Sequence, residues 1–112
     1  MDSEKEAREL WEDYVFLTRE ISKFIDKQDF DLVLELLNQR DKLQELIEAV
    51  PEGGYTTTQE GKETLLTLQN LNQVISTKLQ RLRNTTKRSQ QVDKAYDQMS
   101  NIYAGSFMDR KS

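Results

Sequence analysis

The sequence predicts an all-α fold, an antiparallel three-helix bundle of long helices followed by a short C-terminal helix that can detach. Apolar residues recur at helical spacing in three long stretches, and the chain's one proline, Pro51, lies between the second and the third. The last apolar stripe stops after Leu82 and resumes at Val92 on another face. A chain of 112 residues fits one domain. We assign residues 1–91 to the bundle and 92–112 to a C-terminal amphipathic segment and tail of the same domain.

The first helix is predicted over residues 3–26. Ser3-Glu4-Lys5-Glu6 has the sequence of a capping box, in which the serine and glutamate side chains bind each other's free backbone amides. From Ala7 to Ile25 the apolar residues follow the i, i+3, i+4, i+7 rule and fill one arc of the helix. Phe16 lies nearly opposite that arc, so it is either a singly exposed aromatic or a contact to something outside the three-helix core.

The second helix is predicted over residues 29–50, with Asp29 as its N-cap and Pro51 as its stop. Its apolar positions cover roughly 200° of the helical wheel, wider than the roughly 100° stripe of a surface helix. This helix must therefore face more than one neighbour. Arg40 lies near the middle of the arc, where an unpaired guanidinium would be costly. It is expected to extend to solvent, to pair with a carboxylate, for example from the first helix, or to bind a partner.

The third helix is predicted over residues 58–84, starting at a second capping box, Thr57-Thr58-Gln59-Glu60. One face carries the apolar residues Leu65, Leu68, Leu71, Ile75, Leu79 and Leu82. After the polar stretch 84–91, the next apolar residues point roughly a quarter turn away, at about 100° per residue. One unbroken helix could not bury both sets against one core. We therefore interpret residues 84–91 as a hinge.

The composition excludes most catalytic chemistry. The chain has no cysteine and no histidine, so it lacks thiolates, Cys-based zinc sites, the commonest general base and the commonest metal ligand. Carboxylate pairs such as Glu12/Asp13 and Asp29/Asp31 lie on helix surfaces, where adjacent side chains point in different directions. We predict a protein that is not an enzyme, with no catalytic residue, no cofactor and no metal.

The two halves of the chain carry opposite net charge, −7 for residues 1–50 and +3 for residues 51–112. Acidic and basic helices are expected to lie against each other. The basic residues between Lys78 and Lys94 lack interleaved aromatics, and the acidic half would repel phosphates, so nucleic acid is not an expected partner. No run reaches the roughly 18 to 20 apolar residues of a membrane span, and the charged N-terminus is unlike a signal peptide. The expectation is a cytoplasmic protein without membrane insertion.

An apolar groove with a basic rim is predicted between the second and third helices, where an amphipathic helix of a partner could pack. The predicted partner-binding residues are Leu32, Leu36, Arg40, Leu43, Leu71, Val74, Lys78 and Arg81. The predicted lid, which occupies this surface when the partner is absent, consists of Val92, Tyr96, Met99, Tyr103 and Phe107. The alternative is that all these residues pack internally or in a homodimer.

Two stretches resemble a known family. They are Asp29-Phe30-Asp31-Leu32-Val33-Leu34-Glu35-Leu36-Leu37-Asn38-Gln39-Arg40-Asp41-Lys42-Leu43 and the ending from Ala95-Tyr96 to Tyr103-Ala104-Gly105-Ser106-Phe107-Met108-Asp109-Arg110-Lys111. With them, nearly the whole chain resembles the flagellar export chaperones of the FliT family.

This resemblance implies a small cytoplasmic helical chaperone for flagellar type III export. It would bind the C-terminal helical segment of the filament cap protein, prevent premature self-association and hand the segment to the export apparatus. The export ATPase or the export gate is a further implied partner. In the family the last helix is similar to a lid, and Val92, Tyr96, Met99 and Tyr103 match that role position by position. A chaperone for hook-filament junction proteins is the alternative, because those sister chaperones share helical length and composition.

A second resemblance belongs to a different class. The stretch from Ile25-Asp26 to Arg40 resembles small all-helical chorismate mutases, in which arginine and lysine bind the two carboxylates of the substrate. That family needs a lysine about three turns after the arginine, where this chain has Pro51. The site would lack its second cation, so this activity is not expected.

Overall fold

The structure is a computed structural model that describes residues 3–49, 54–85 and 90–105. It contains four α-helices in order: α1, Ser3–Asp26; α2, Phe30–Ala49; α3, Gln59–Thr85; and α4, Gln90–Gly105. A short 3-10 helix, Tyr55–Thr57, precedes α3. No strand occurs among the described residues. The predicted all-α fold of three long helices with a short C-terminal helix is confirmed.

The long helices run up, down and up, and α4 is the fourth member of the bundle. Tyr14 of α1 hydrogen-bonds Gln44 of α2 at 3.4 Å, whereas Thr18, one turn later, is bonded by Arg40, one turn earlier, so α1 and α2 are antiparallel. Helix α1 packs against both α2 and α3, and α4 packs against the same two helices. Helix α4 therefore lies between α2 and α3 on the side away from α1.

The chain reverses direction between α3 and α4. Arg83 near the end of α3 contacts Asp93 in the first turn of α4. Asn72, earlier in α3, and Met99, later in α4, both accept hydrogen bonds from Arg40. The predicted phase mismatch of the two apolar sets is thus resolved by antiparallel packing. Within the predicted hinge, residues 86–89 lie outside the described residues.

The core divides into two clusters along the bundle. The first, which we call the α4 cluster, consists of Ile21, Ile25, Phe30, Val33, Leu37, Ile75, Leu79, Val92, Ala95 and Met99. The second, which we call the Tyr55 cluster, consists of Ala7, Trp11, Tyr14, Tyr55 and Leu68. Helices α1 and α3 contribute to both clusters. The α4 cluster is completed from the end of the chain, and the Tyr55 cluster from the segment between α2 and α3.

The turn between α1 and α2 is made without glycine. Gln28 adopts the left-handed region with φ of 57°. Its N–H donates to the Ile25 carbonyl at 2.9 Å, and the Asp29 N–H donates to the Phe24 carbonyl at 3.1 Å, which is the Schellman pattern of a helix end. Asp29 then caps α2, because its Oδ1 accepts the Leu32 N–H at 3.3 Å, as predicted.

The cap of α3 lies one residue later than predicted. Thr58 Oγ1 accepts the Gly61 N–H at 3.0 Å and donates to the Tyr55 carbonyl at 2.6 Å. Thr57, which the sequence pattern marks as the cap, instead donates its hydroxyl back to the Gly54 carbonyl at 2.7 Å. The capping box starting at Thr57 is therefore wrong, because the 3-10 helix already occupies that residue.

Phe16 is exposed, with 61% of its surface accessible. Both predicted alternatives, a singly exposed aromatic and a contact to something outside the three-helix core, are compatible with this exposure. Leu46, Leu66 and Val74 are the other large apolar residues that the described part of the chain exposes. These four residues belong to three different helices.

Candidate functional site

The candidate site is the groove between α2 and α3 that α4 occupies. Val92, Ala95 and Met99 of α4 are buried in the α4 cluster, at 6%, 0% and 3% exposure. Tyr96 packs against that cluster from its edge and is half-buried. These positions recur at helical spacing, so they form one face of α4 that enters the groove.

Polar contacts hold α4 on both of its flanks. On the α2 side, Gln98 Nε2 donates to Asn38 Oδ1 at 3.0 Å and to Asp41 Oδ2 at 2.8 Å. On the same side, Gln91 near the start of α4 donates to Asp31. Helix α4 is therefore parallel to α2, because both contacts advance together along the two helices.

On the α3 side, a single arginine makes two contacts with α4. Arg83 Nε lies 3.3 Å from Asp93 Oδ1, and the guanidinium lies over the Tyr96 ring, 4.5 Å from the ring centroid. These groups are partly exposed, so each contact contributes at most about 1 kcal/mol. They set the register of α4 more than they stabilise it.

Arg40 lies at the centre of the bundle, where all four helices meet. It is fully buried, at 0% exposure. Its Nη1 donates to Thr18 Oγ1 of α1 and to Asn72 Oδ1 of α3, each at 2.9 Å, and its Nη2 donates to Met99 Sδ of α4 at 3.2 Å. The guanidinium also lies 4.9 Å from the centroid of the Tyr14 ring. Arg40 thus contacts the docked α4 from inside the core.

The predicted carboxylate partner of Arg40 is wrong, and so is the expectation that it extends to solvent. Its hydrogen-bond acceptors are a hydroxyl, an amide oxygen and a thioether, all of them neutral. Burial lowers the pKa of the Arg40 guanidinium, while Tyr14 and Asp41 act in the opposite direction. The lower pKa reflects the cost of keeping a cation away from water without a bonded anion. The same burial raises the pKa of the Tyr14 hydroxyl.

The structure does not bring the eight predicted partner-binding residues together on one surface. Arg40 is inside the core, and Lys78 binds α1, with its Nζ 2.9 Å from both Ser22 Oγ and Asp26 Oδ1. Leu36 packs against the α4 cluster and Leu43 against the Tyr55 cluster, while Leu32 and Leu71 are half-buried and Val74 and Arg81 are exposed.

The predicted partner-binding residues are dispersed because the apolar arc of α2 is wide. The prediction that α2 faces more than one neighbour holds, because it packs against both α1 and α4. Apolar residues on the α1 side of that arc are therefore covered within the chain. The part of the groove in which a partner helix could bind is the part that α4 covers.

The five predicted lid residues have different outcomes. Val92 and Met99 of α4 are buried against the bundle, and Tyr96 is half-buried beside Arg83. The side chain of Tyr103 and all of Phe107 lie outside the described residues. The described part of the lid thus faces the bundle, as an internal core helix or a closed lid would.

Sequence reasoning missed Thr18 and Asn72, which bind Arg40. Both are polar residues at positions where helical spacing places the core: Thr18 falls between Tyr14 and Ile21, and Asn72 one turn after Leu68. A polar residue on the core face of each of three helices was the signal that could have found them. Buried polar groups require partners, so three such residues should be sought together.

A second concavity lies between α1 and α3 and has a volume of about 310 Å³. Its polar lining includes Glu12, Arg19, Glu60 and Glu63. Within the described ranges, no group of three or more carboxylates is arranged to hold a metal ion. The described helices also include none that is long and apolar enough to cross a membrane.

Comparison of the chain with protein-family models, curated proteins and solved structures gave no match.

Proposed function

We propose that this chain is a cytoplasmic flagellar type III export chaperone that binds the C-terminal helical segment of the filament cap protein and uses α4 as a regulatory lid. The observation that carries the proposal is the docking of a separate amphipathic helix, antiparallel to α3 and parallel to α2, into the groove between these two helices. Helix-in-groove recognition requires such a groove, and here the chain's own α4 shows that a helix fits. The resemblance of the sequence to the FliT family supports the same function.

The lid works by exchange. Burial of Val92 and of Met99 contributes roughly 1.5 to 3 kcal/mol each, so an empty groove is disfavoured by several kcal/mol. A partner helix that makes equivalent contacts offsets this loss, and α4 and the partner therefore compete for one site. The apparent association constant for the partner equals the intrinsic one multiplied by the fraction of chains in which α4 leaves the groove open.

A crosslinked lid tests the proposal. Gln98 of α4 and Asn38 of α2 are in hydrogen-bond contact at 3.0 Å, and the chain has no cysteine of its own. In the full chain, Asn38→Cys with Gln98→Cys joined by a short bis-maleimide should lose binding to a cap-protein C-terminal segment in isothermal titration calorimetry. The same variant with its thiols capped singly should bind.

The matched control carries the crosslink within one helix. Gln59 and Glu63 of α3 contact each other at 3.0 Å on an exposed surface, so Gln59→Cys with Glu63→Cys adds the same linker without joining α4 to the bundle. It should bind the cap-protein segment as the unmodified chain does. Undiminished binding by the crosslinked lid would contradict the exchange mechanism. Binding of junction-protein segments in place of the cap-protein segment would select the sister chaperone function.

A truncation gives a second measurement. Deletion of residues 92–112 removes the lid and should tighten binding to the cap-protein segment. Because the deletion also removes the buried Val92, Ala95 and Met99, its helicity must be checked by circular dichroism in the presence of the segment. Equal or weaker affinity in a truncated chain that is helical in the complex would contradict the lid role.

A further inference from the structure

The hydrogen bonds of Arg40 are distributed unequally among the helices around it. A guanidinium has five N–H donors. Helices α1 and α3 supply oxygen acceptors, Thr18 Oγ1 and Asn72 Oδ1, for the two bonds of Nη1. Helix α4 supplies only the Met99 sulfur, a weak acceptor, to Nη2. The Arg40 Nε has no hydrogen-bond partner, although it is buried.

No anion is bonded to Arg40, and Asp41, the next residue on α2, acts on its guanidinium without an ion pair or hydrogen bond. The ion pairs found in the described part of the chain join Lys23 to Glu20, Lys78 to Asp26 and Arg83 to Asp93, and none includes Arg40. A buried cation of this kind is normally paired with a carboxylate. Of the helices around Arg40, α4 is the one that the proposed function requires to leave. The missing acceptor can therefore come from whatever replaces α4.

We propose that the groove beneath α4 accepts a partner helix with an aspartate or glutamate placed against Arg40, where Met99 lies in the closed chain. This inference rests on the proposed function and specifies the chemistry of its partner. A carboxylate offers a charge-assisted, bidentate acceptor that matches the guanidinium, whereas the Met99 thioether offers one neutral atom. Helix α4 then binds more weakly than a helix that presents an anionic side chain to Arg40.

The spacing on α4 defines the pattern that the partner helix carries. Val92, Ala95 and Met99 enter the core at positions i, i+3 and i+7. The partner should have an apolar residue, a small residue and an acidic residue at that same spacing. The position before the acid corresponds to Gln98, which donates to Asn38 and Asp41, so a hydrogen-bond donor is expected there.

The first test uses the full chain. With Met99→Glu, Met99→Gln and Met99→Leu, urea unfolding should give the highest midpoint for glutamate and the lowest for leucine. A site without demand for an anion would give the opposite order, because an unpaired buried carboxylate is destabilising. Arg40→Met should reverse the order if Arg40 is the cause. A Met99→Glu chain less stable than Met99→Leu, with Arg40 intact, would overturn the proposal.

The second test adds the occupant from outside. The probes are fluorescent peptides with the sequence of residues 88–105, carrying Met, Glu or Lys at the position of Met99, and the target is the unmodified full chain. The glutamate peptide should bind about tenfold more tightly than the methionine peptide, because a charge-assisted bond replaces a weak neutral one. The lysine peptide should bind more weakly than either. Equal affinity of the three peptides would overturn the proposal.

The two tests separate this inference from the proposed function. If the glutamate peptide binds best but no cap-protein segment binds, the anion site stands and the chaperone function fails. If a cap-protein segment binds with equal affinity before and after neutralisation of its acidic residues to amides, the chaperone function stands and the anion site is refuted for its natural partner.

Discussion

The two ends of the bundle are closed in different ways. At one end, the Tyr55 cluster is covered by the segment just before α3, which is fixed to that helix by short backbone and side-chain contacts. At the other end, the α4 cluster is covered by a helix that returns from the end of the chain and contacts α2 and α3 through side chains. A cover held by its own backbone cannot leave without unfolding α3, whereas a cover held by side chains can be exchanged.

Gly61 gives the largest expected effect and tests whether the Tyr55 end is fixed. A Cβ at this position would lie 2.0 Å from the backbone oxygen of Tyr55, so the 3-10 helix and α3 would have to separate. Gly61→Ala should lower the free energy of unfolding by about 3 kcal/mol in urea denaturation. The usual glycine-to-alanine change within an exposed helix is stabilising by about 1 kcal/mol. The sign of the change in unfolding free energy therefore distinguishes a fixed cover from a loose one. A stabilised variant would show that this cover is loose.

Hydrogen exchange tests the other side of the comparison. Backbone amides from Asp93 to Met99 should exchange through a local opening that costs about 2 kcal/mol less than global unfolding, because α4 can undock as a unit. The amide of Leu68, in the Tyr55 cluster, should exchange only through global unfolding. Native-state exchange at several denaturant concentrations measures both. If the α4 amides have the same opening free energy as Leu68, the two covers are equivalent and α4 is an ordinary core helix.

Thr18 lies where the two clusters meet and tests how the core holds Arg40. Thr18→Val keeps the shape but removes an acceptor from a buried guanidinium, which should lower the free energy of unfolding by about 2 kcal/mol. Thr77→Val, on an exposed position of α3, is the matched control and should change it by less than about 0.5 kcal/mol. Similar effects of the two substitutions would mean that Arg40 needs no acceptor from α1.

The smallest expected effect sharpens the description of the Tyr55 end. Thr58→Ala should cost about 1 kcal/mol, because Thr58 caps α3 through the Gly61 N–H. Thr57→Ala should cost less, because the Thr57 side chain is exposed and bonds only the Gly54 carbonyl. Thermal unfolding of the two single variants measures the difference. The reverse order would restore the cap that the sequence pattern predicts.

The sequence by itself determined the helices and their separation. Periodic apolar residues, Asp29 as a cap and the polar stretch after Leu82 place α1, α2 and α3 within one residue of their ends in the structure, and the start of α4 within two. These features are local, because helical spacing and capping act over a few residues. The width of the α2 arc also predicted more than one neighbour for that helix, although not which ones.

Only the tertiary structure decided which side chains meet. The assignment of Leu71, Val74 and Lys78 to a groove with α2 failed for Lys78, because α1 reaches that residue first. The hydrogen bonds of Arg40 join residues 22, 32 and 59 positions away along the chain. Spacing within one helix cannot specify such contacts, since they depend on the rotation and register of four helices at once. For the same reason, the weak acceptor that α4 presents to Arg40 is visible only once the four helices are packed.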